Sequence, residues 1–344
     1  MHKLRAKYEH RTFHFKRPSG TSRGILTEKQ AWFISIWNPE NPQIIGRGEC
    51  SVIPGLSPDF VSLESKTDYE NKLNEVCENL TLDLNNWPSI KFGVETALLD
   101  LENGGTGNYF NNAFTSGQKQ IPINGLVWMG DPQFMQDQIE EKIEAGFSTI
   151  KMKIGAIDFN SEIRLLQGIR SKYSPEQITL RVDANGAFIP KEALNKLERL
   201  SELAIHSIEQ PIKAGQWKEM STLCSSTQLP IALDEELIGI NLLSEKLDLI
   251  QTIQPHYIIL KPSLHGGLSG TREWIEIAES NNIPWWITSA LESNIGLKAI
   301  CQFTAEFENH LPQGLGTGSL YTDNVESDLL VERGCISLKE IYNK

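Results

Sequence analysis

From residue 121 onward the chain alternates short apolar strands with amphipathic helices, and this rhythm constrains the fold more than any other feature. The pairs run Ile121–Val127 with a helix to about Ala145, Thr149–Ile154 with Glu162–Tyr173, Thr179–Asp183 with Pro190–Leu200, and Ile205–Glu209 with Trp217–Cys224. They continue as Ile231–Asp234 with Leu242–Ile250, Tyr257–Lys261 with Ser269–Ser280, and Trp285–Ser289 with Asn294–Thr304, before a last apolar piece at Leu311–Gly316. Repeated strand–helix units imply a parallel sheet flanked by helices. Eight such strands within about 200 residues predict closure into a barrel rather than an open sheet.

Before residue 121 the pattern is different. Strands are expected at Leu4–Phe15, Ala31–Trp37 and Ile44–Glu49, where apolar and polar residues alternate. Helices are expected at Asp68–Leu80 and Ser89–Leu101, the second preceded by a proline and followed by Gly104-Gly105. The polar stretch Thr106–Gln120 marks a boundary, giving an α+β domain over 1–115 and a (β/α)7β barrel domain over 116–319. The loop Ser19–Gly24 has the small, polar composition of a lid and is expected to close over a ligand, with a simple hairpin loop as the alternative.

The 32 basic and 44 acidic residues give a formal charge of −12, which argues against a nucleic-acid partner. It does not argue against an anionic small molecule, because a local cation cluster can outweigh the overall field. The five cysteines (Cys50, Cys77, Cys224, Cys301 and Cys335) are widely spaced and form no CxxC pair, as expected for thiols in a reducing compartment. The basic N-terminus has no apolar core of a secretory signal, and no apolar run reaches 18 residues. A cytoplasmic protein without a membrane partner is expected; a homo-oligomer is compatible with the sequence.

Chemistry concentrates at the strand ends. Lys153 ends the second expected strand, Asp183 the third, Glu209 the fourth, Asp234 the fifth and Lys261 the sixth. The carboxylates recur at intervals of 26 and 25 residues (183 to 209 to 234), one strand–helix unit each, so they converge at the barrel's C-terminal mouth. A single acidic residue there commonly caps the next helix. Three in register form an all-oxygen set suited to a hard cation, Mg²⁺ or Mn²⁺. Lys151 and Lys153 share one face of Ile150-Lys151-Met152-Lys153-Ile154. On an edge strand they are merely solvated, but in a barrel Lys153 and Lys261 oppose each other across the mouth. A metal-bound carboxylate substrate then has its α-carbon between two ammoniums. Lys151 is placed as the second cation that lowers the pKa of Lys153 and lets it act as a base.

Lys151-x-Lys153, Asp183 in Arg-Val-Asp-Ala-Asn-Gly, Glu209 in Ile-Glu-Gln-Pro, Asp234 in Leu-Asp-Glu and Lys261 in Leu-Lys-Pro resemble the enolase superfamily. Within it they resemble the muconate lactonizing enzyme subgroup. The resemblance covers nearly the whole chain and implies that residues 1–115, rejoined by 320–344, form a capping domain. Ser289-Ala290-Leu291-Glu292-Ser293-Asn294-Ile295-Gly296-Leu297 and Gly314-Leu315-Gly316-Thr317-Gly318 are similar to the o-succinylbenzoate synthases. Dipeptide epimerases of the subgroup carry an Asp-x-Asp where this chain has Gly316-Thr317-Gly318, which offers no counter-ion to an ammonium.

The resemblance implies dehydration of a hydroxy-cyclohexadiene carboxylate to an aromatic acid in menaquinone biosynthesis. Lys153 would be base and then acid, Lys261 the cation over the ring, and Lys151 electrostatic support. Asn185 and Glu235 are expected as second-layer partners of the ligands. Arg181 is either a salt-bridge partner or a substrate contact, Ser289 either a substrate donor or a helix cap, and Arg23 a substrate contact from the loop. Trp285-Trp286 is expected in the core and His265 at the rim. The other readings are an N-acylamino acid racemase or dipeptide epimerase, and a metal-binding barrel without activity.

Overall fold

The computed structural model describes residues 4–21 and 24–339. Arg23, expected above as a substrate contact, lies outside the described residues. Strands β1 (Arg5–Thr21), β2 (Gly24–Asn38) and β3 (Asn41–Val52) form an antiparallel sheet in that order. Alternation divides their side chains between two faces. Trp32, Ile34, Ile36, Cys50 and Val52 pack on α1 (Lys66–Glu78) and α2 (Pro88–Glu102), against Tyr69, Leu73, Val76, Ile90, Val94 and Ala97. The other face presents Phe13, Phe15, Ala31 and Phe33, which pack with Ile53 on Leu264, Ala290, Leu291 and Tyr321 from the second half of the chain. Helix α2 lies so close to β3 that a Cβ on Gly48 would sit 1.9 Å from the Gly93 carbonyl oxygen.

The β1–β2 hairpin is longer than the alternation predicts. Ser19 pairs with Leu26, Gly20 with Ile25 and Thr21 with Gly24, after a register shift between His14 and Ser19. The strands therefore continue into the segment expected as a loop.

The stretch Ile121–Val127, expected as one strand, is two. β4 (Ile121–Pro122) leaves to pair elsewhere, and β5 (Gly125–Val127) begins a seven-stranded parallel sheet. The sheet continues through β6 (Thr149–Lys153), β7 (Thr179–Asp183), β8 (Ser207–Glu209), β9 (Ile231–Leu233), β10 (Tyr257–Leu260) and β11 (Trp285–Ile287), each beside the next. Between them run α3 (Pro132–Glu144), α4 (Phe159–Lys172), α5 (Pro190–Ser201), α6 (Trp217–Ser226), α7 (Leu243–Ile253) and α8 (Gly267–Ser280), and α9 (Asn294–Thr304) follows β11. Asp131 and Asp158 cap α3 and α4 by accepting from Phe134 N and Ser161 N.

No eighth strand of full length forms at Leu311–Gly316. Instead Gln313 and Gly314 bridge the two edges of the sheet. Gln313 N donates to Pro122 O at 2.8 Å, and Asn124 N donates to Gln313 O at 2.9 Å. Gly314 N donates to Ile287 O at 2.8 Å, and Ser289 N donates to Gly314 O at 3.1 Å. A side chain at 314 is excluded, since its Cβ would lie 2.1 Å from Thr288 Oγ1. Inside the curled sheet, Ala232, Ile259 and Trp286 form a layer of their own.

The C-terminal segment then divides. Tyr321 bridges to Phe15, and Lys16 N donates to Leu320 O at 2.8 Å, so this part lies along β1. Further on, the hairpin of β12 (Leu329–Glu332) and β13 (Cys335–Leu338) adds to β4 as a three-stranded sheet.

Candidate active site

β6 has β5 on one side and β7 on the other, so the solvated edge-strand alternative for Lys151 and Lys153 is excluded. Ile150 and Met152 point into the main core, leaving the two lysines on the inner face. Register then aligns the chemistry: Lys153 lies beside Asp183, and Asp183 beside Glu209. β10, which leads into Lys261, is four places from β6 in the strand order.

The side chains meet. Lys151 Nζ forms ion pairs with Asp183 Oδ2 at 3.0 Å and Glu209 Oε2 at 2.5 Å. Lys153 Nζ donates to Asp183 Oδ2 at 2.9 Å and to Asn185 Oδ1 at 2.7 Å. Asn185 Nδ2 in turn donates to Glu235 Oε1 at 3.0 Å, and Lys261 donates to Asp234 Oδ2. Asn185 thus links Lys153 to Glu235 in the loop after β9. Asn185 holds this position with φ of +44°, a left-handed conformation that asparagine tolerates better than most residues.

Charges in this cluster control one another. Burial pushes the Asp183 carboxyl up, but the Lys151 and Lys153 ammoniums overcome it and hold the group well below the usual range. For Glu209, burial and the neighbouring Asp183 raise the carboxyl far above its ordinary value. Burial also opposes the Lys151 charge, yet Asp183, Glu209 and Asp234 outweigh it and keep the ammonium protonated. Lys151 thus stands in ion-pair contact with Asp183 and Glu209, two positions along the same strand from Lys153.

A divalent cation suits the oxygens left over. Glu209 Oε1, Asp234 Oδ1 and Glu235 Oε2 are buried without a hydrogen-bond partner, which is costly for carboxylates unless a cation or proton arrives. The donors are all hard oxygens, the set that Mg²⁺ takes. As they stand the carboxylates are paired with ammoniums. Among the described residues no three acidic, histidine or cysteine side chains close on one point.

Other expectations are redirected. Arg181 is buried below the mouth, where it donates to Pro312 O at 2.7 Å and stacks 4.1 Å over Trp286. It does not line the cavity and has no salt-bridge partner among the described residues, since it stands one layer deeper on β7 than Asp183. Ser289 faces the cavity but is occupied, exchanging a hydrogen bond with Thr317 at 2.7 Å and accepting from Leu291 N. Ser293, not Ser289, caps α9. His265 is buried, not at the rim; its Nδ1 accepts from Lys261 N at 2.9 Å. Gln210 escaped the sequence reading although it lies in the Ile-Glu-Gln-Pro motif. Its Oε1 accepts from Asp234 N and Glu236 N, both at 3.2 Å, and so fixes the turn that carries Asp234.

These groups open into a cavity of about 780 Å³. Its upper wall includes Lys16, Arg17 and Pro18 from the β1–β2 hairpin with Ile53 and Leu56, and its sides include Trp128, Ser289–Leu291 and Thr317.

Fold and site together define a family. Residues 135–341 match the enolase C-terminal domain-like family, and the chain belongs to it. The chain is 45% identical to the o-succinylbenzoate synthase of Desulfotalea psychrophila, over 94% of this chain and 96% of that protein. The crystal structure of MenC from the same organism superposes with a TM-score of 0.83 at 41% identity, covering 97% of this chain and 99% of the other. The L-Ala-D/L-Glu epimerase of Bacillus subtilis is more distant, at 26% identity over 79% of this chain and 74% of that protein.

Proposed function

We propose that this chain dehydrates 2-succinyl-6-hydroxy-2,4-cyclohexadiene-1-carboxylate to o-succinylbenzoate, a step of menaquinone biosynthesis in the cytoplasm. The observation that carries the reading is the opposed pair Lys153 and Lys261 around three buried carboxylates, in a chain 45% identical to a named o-succinylbenzoate synthase. On this reading residues 116–319 form a (β/α)7β barrel, and residues 1–115 with 320–344 form its cap. Two features support the cap: the sheet face of Phe13, Phe15, Ala31 and Phe33 packs on Leu264 and Ala290, and the 320–322 segment lies along β1. All five cysteines are free thiols, in keeping with a reducing compartment.

Asp183, Glu209 and Asp234 would hold Mg²⁺, with Mn²⁺ as a substitute. A divalent ion held there would supply Lewis-acid charge beside the substrate carboxylate and so raise the acidity of the adjacent carbon. Lys153 takes that proton. In a syn elimination the hydroxyl leaves from the same face, so the Lys153 ammonium is placed to protonate it and release water. Lys261 faces the other side of the ring and supplies positive charge to the delocalised anion. Asn185 and Glu235 orient the Lys153 amine, and Lys151 offsets the charge of Asp183 and Glu209. Lys16 and Arg17 on the cavity wall suit a substrate with a second carboxylate, as the succinyl arm carries.

The test is incubation of the purified protein with the cyclohexadiene and Mg²⁺, following the ultraviolet absorbance of the aromatic product. Rapid α-deuterium exchange and racemisation of an N-acylamino acid, without aromatic product from the cyclohexadiene, would overturn the reading in favour of a racemase.

A further inference from the structure

On the face of the N-terminal sheet that carries Phe13, Ala31 and Phe33, two charged side chains, Lys29 and Glu49, are turned into the interior. Both are buried, at 2% and 0% exposure, as is Glu292 at 0%. By alternation Lys29 stands on the face of Ala31 and Phe33, where an apolar residue would pack without loss of hydration. Taking such charges out of water is costly unless their contacts compensate for the lost hydration. The contacts show what these charges do.

Lys29 Nζ donates to the Ala290 carbonyl at 2.9 Å. The next residue, Leu291, has φ of +63°, which a leucine seldom adopts, and its carbonyl accepts from Tyr321 OH at 2.6 Å. Glu49 accepts from Ser293 N at 2.8 Å, Ser293 Oγ at 2.5 Å and Gly296 N at 2.9 Å, so it caps α9 from a distant strand. Glu292 accepts from Ser263 Oγ at 2.5 Å, two residues beyond Lys261. The outer side of the 289–296 stretch is therefore pinned by groups from the N-terminal sheet. Its inner side, at Ser289, Ala290, Leu291 and Asn294, lines the cavity.

We propose that Lys29, acting with Glu49 and Glu292, is a positioning residue that sets the 289–294 stretch as the wall against which the substrate is bound. The inference rests on the proposed use of this cavity, and it assigns Lys29 no contact with the reacting atoms. Burial lowers the Lys29 pKa to about 8 against the pull of Glu292 and Glu49, in keeping with an ammonium held where hydration is scarce.

The test compares Lys29→Met with Lys29→Met/Glu292→Gln, the second variant neutralising one of the two carboxylates that the first leaves without the ammonium. A positioning role predicts that KM rises about fivefold or more in both variants, with kcat changed less than about threefold. The double variant regains melting temperature relative to the single one but keeps the raised KM. Wild-type KM in either variant, or KM returning together with melting temperature, would overturn the proposal. If the single variant does not fold, the double variant decides. Should wild type exchange the α-proton of an N-acylamino acid instead of dehydrating the cyclohexadiene, KM for that substrate is read. The dehydratase reading then fails while this one is still judged by the same comparison.

Discussion

Replacing Lys153 and Lys261 separates the two lysines by role. Lys153 Nζ is held by Asp183 at 2.9 Å and Asn185 at 2.7 Å, with 12% of the side chain exposed. If it serves as base and then as acid, Lys153→Ala removes two proton transfers, each worth about 10²- to 10⁴-fold. Because such effects are not additive, the lower product, about 10⁴-fold in kcat or about 5.5 kcal/mol, is the expected loss.

Lys261 has less to lose. An ammonium about 4 Å from a unit negative charge is worth about 4 kcal/mol at an effective dielectric of about 20, or about a thousandfold. Its contact with Asp234 already spends part of that charge, so Lys261→Ala is expected to lose about a hundredfold. Lys261→Arg should retain more than Lys261→Ala, since it keeps the charge while its pKa above about 12 makes it a very poor base. The assay is initial rate of aromatic product at saturating substrate, on variants matched for melting temperature and divalent-ion affinity. Lys153→Ala faster than Lys261→Ala, or within about tenfold of wild type, would refute the assignment.

Three further outcomes are expected. Asp234→Asn removes an anionic oxygen from the proposed metal set and should weaken Mg²⁺ binding by about tenfold or more in calorimetric titration while abolishing turnover; full activity in protein verified as metal-free would remove the metal from the mechanism. Gly48→Ala drives a Cβ to 1.9 Å from Gly93 O, and overpacking of this kind costs about 1–3 kcal/mol or more, read as a fall in melting temperature; an unchanged melting temperature would contradict the close approach of α2 to β3. His206 is held at about 4, below its ordinary 6.5, by burial and then by Arg181, so the folded chain binds this proton later than the unfolded chain does. Its contribution is complete above pH about 6.5 and is lost as pH falls towards about 4. His206→Phe should flatten that part of the curve of urea midpoint against pH, whereas parallel curves would refute it.

How much was legible follows from the range over which each residue's partners act. Thr179–Asp183 and Asn294–Thr304 appear at their expected bounds because local periodicity and flanking turn residues decide them. The eighth strand is reduced to parallel bridges at Gln313 and Gly314 within the expected Leu311–Gly316, and the Gln313 side chain accepts from Ile287 N at 2.7 Å where a backbone group would otherwise serve. Splitting of Ile121–Val127 was hidden because β4 is claimed by β13, more than two hundred residues later. The lysines and carboxylates were legible because each ends an apolar strand, and the strand count alone brings strand ends together. Lys29 and Glu49 were not. Nothing near them in sequence marks their partners, which are Ala290, Ser293 and Gly296.

Charge balance at the mouth bears on which substrate the site takes. Asp183, Glu209, Asp234 and Glu235 carry up to four negative charges, against three positive charges on Lys151, Lys153 and Lys261. Holding the proposed divalent ion would turn this small excess of negative charge into a net positive one, with Lys16 also on the cavity wall. Such a site attracts a dianion and repels an ammonium, because like charges in a poorly hydrated pocket are costly to bring together. A dipeptide brings an ammonium, and the Gly316-Thr317-Gly318 stretch answers it with a hydroxyl that Ser289 already engages. A cyclohexadiene with two carboxylates brings none. The balance of charge therefore favours the dehydratase over a dipeptide epimerase on grounds separate from sequence identity.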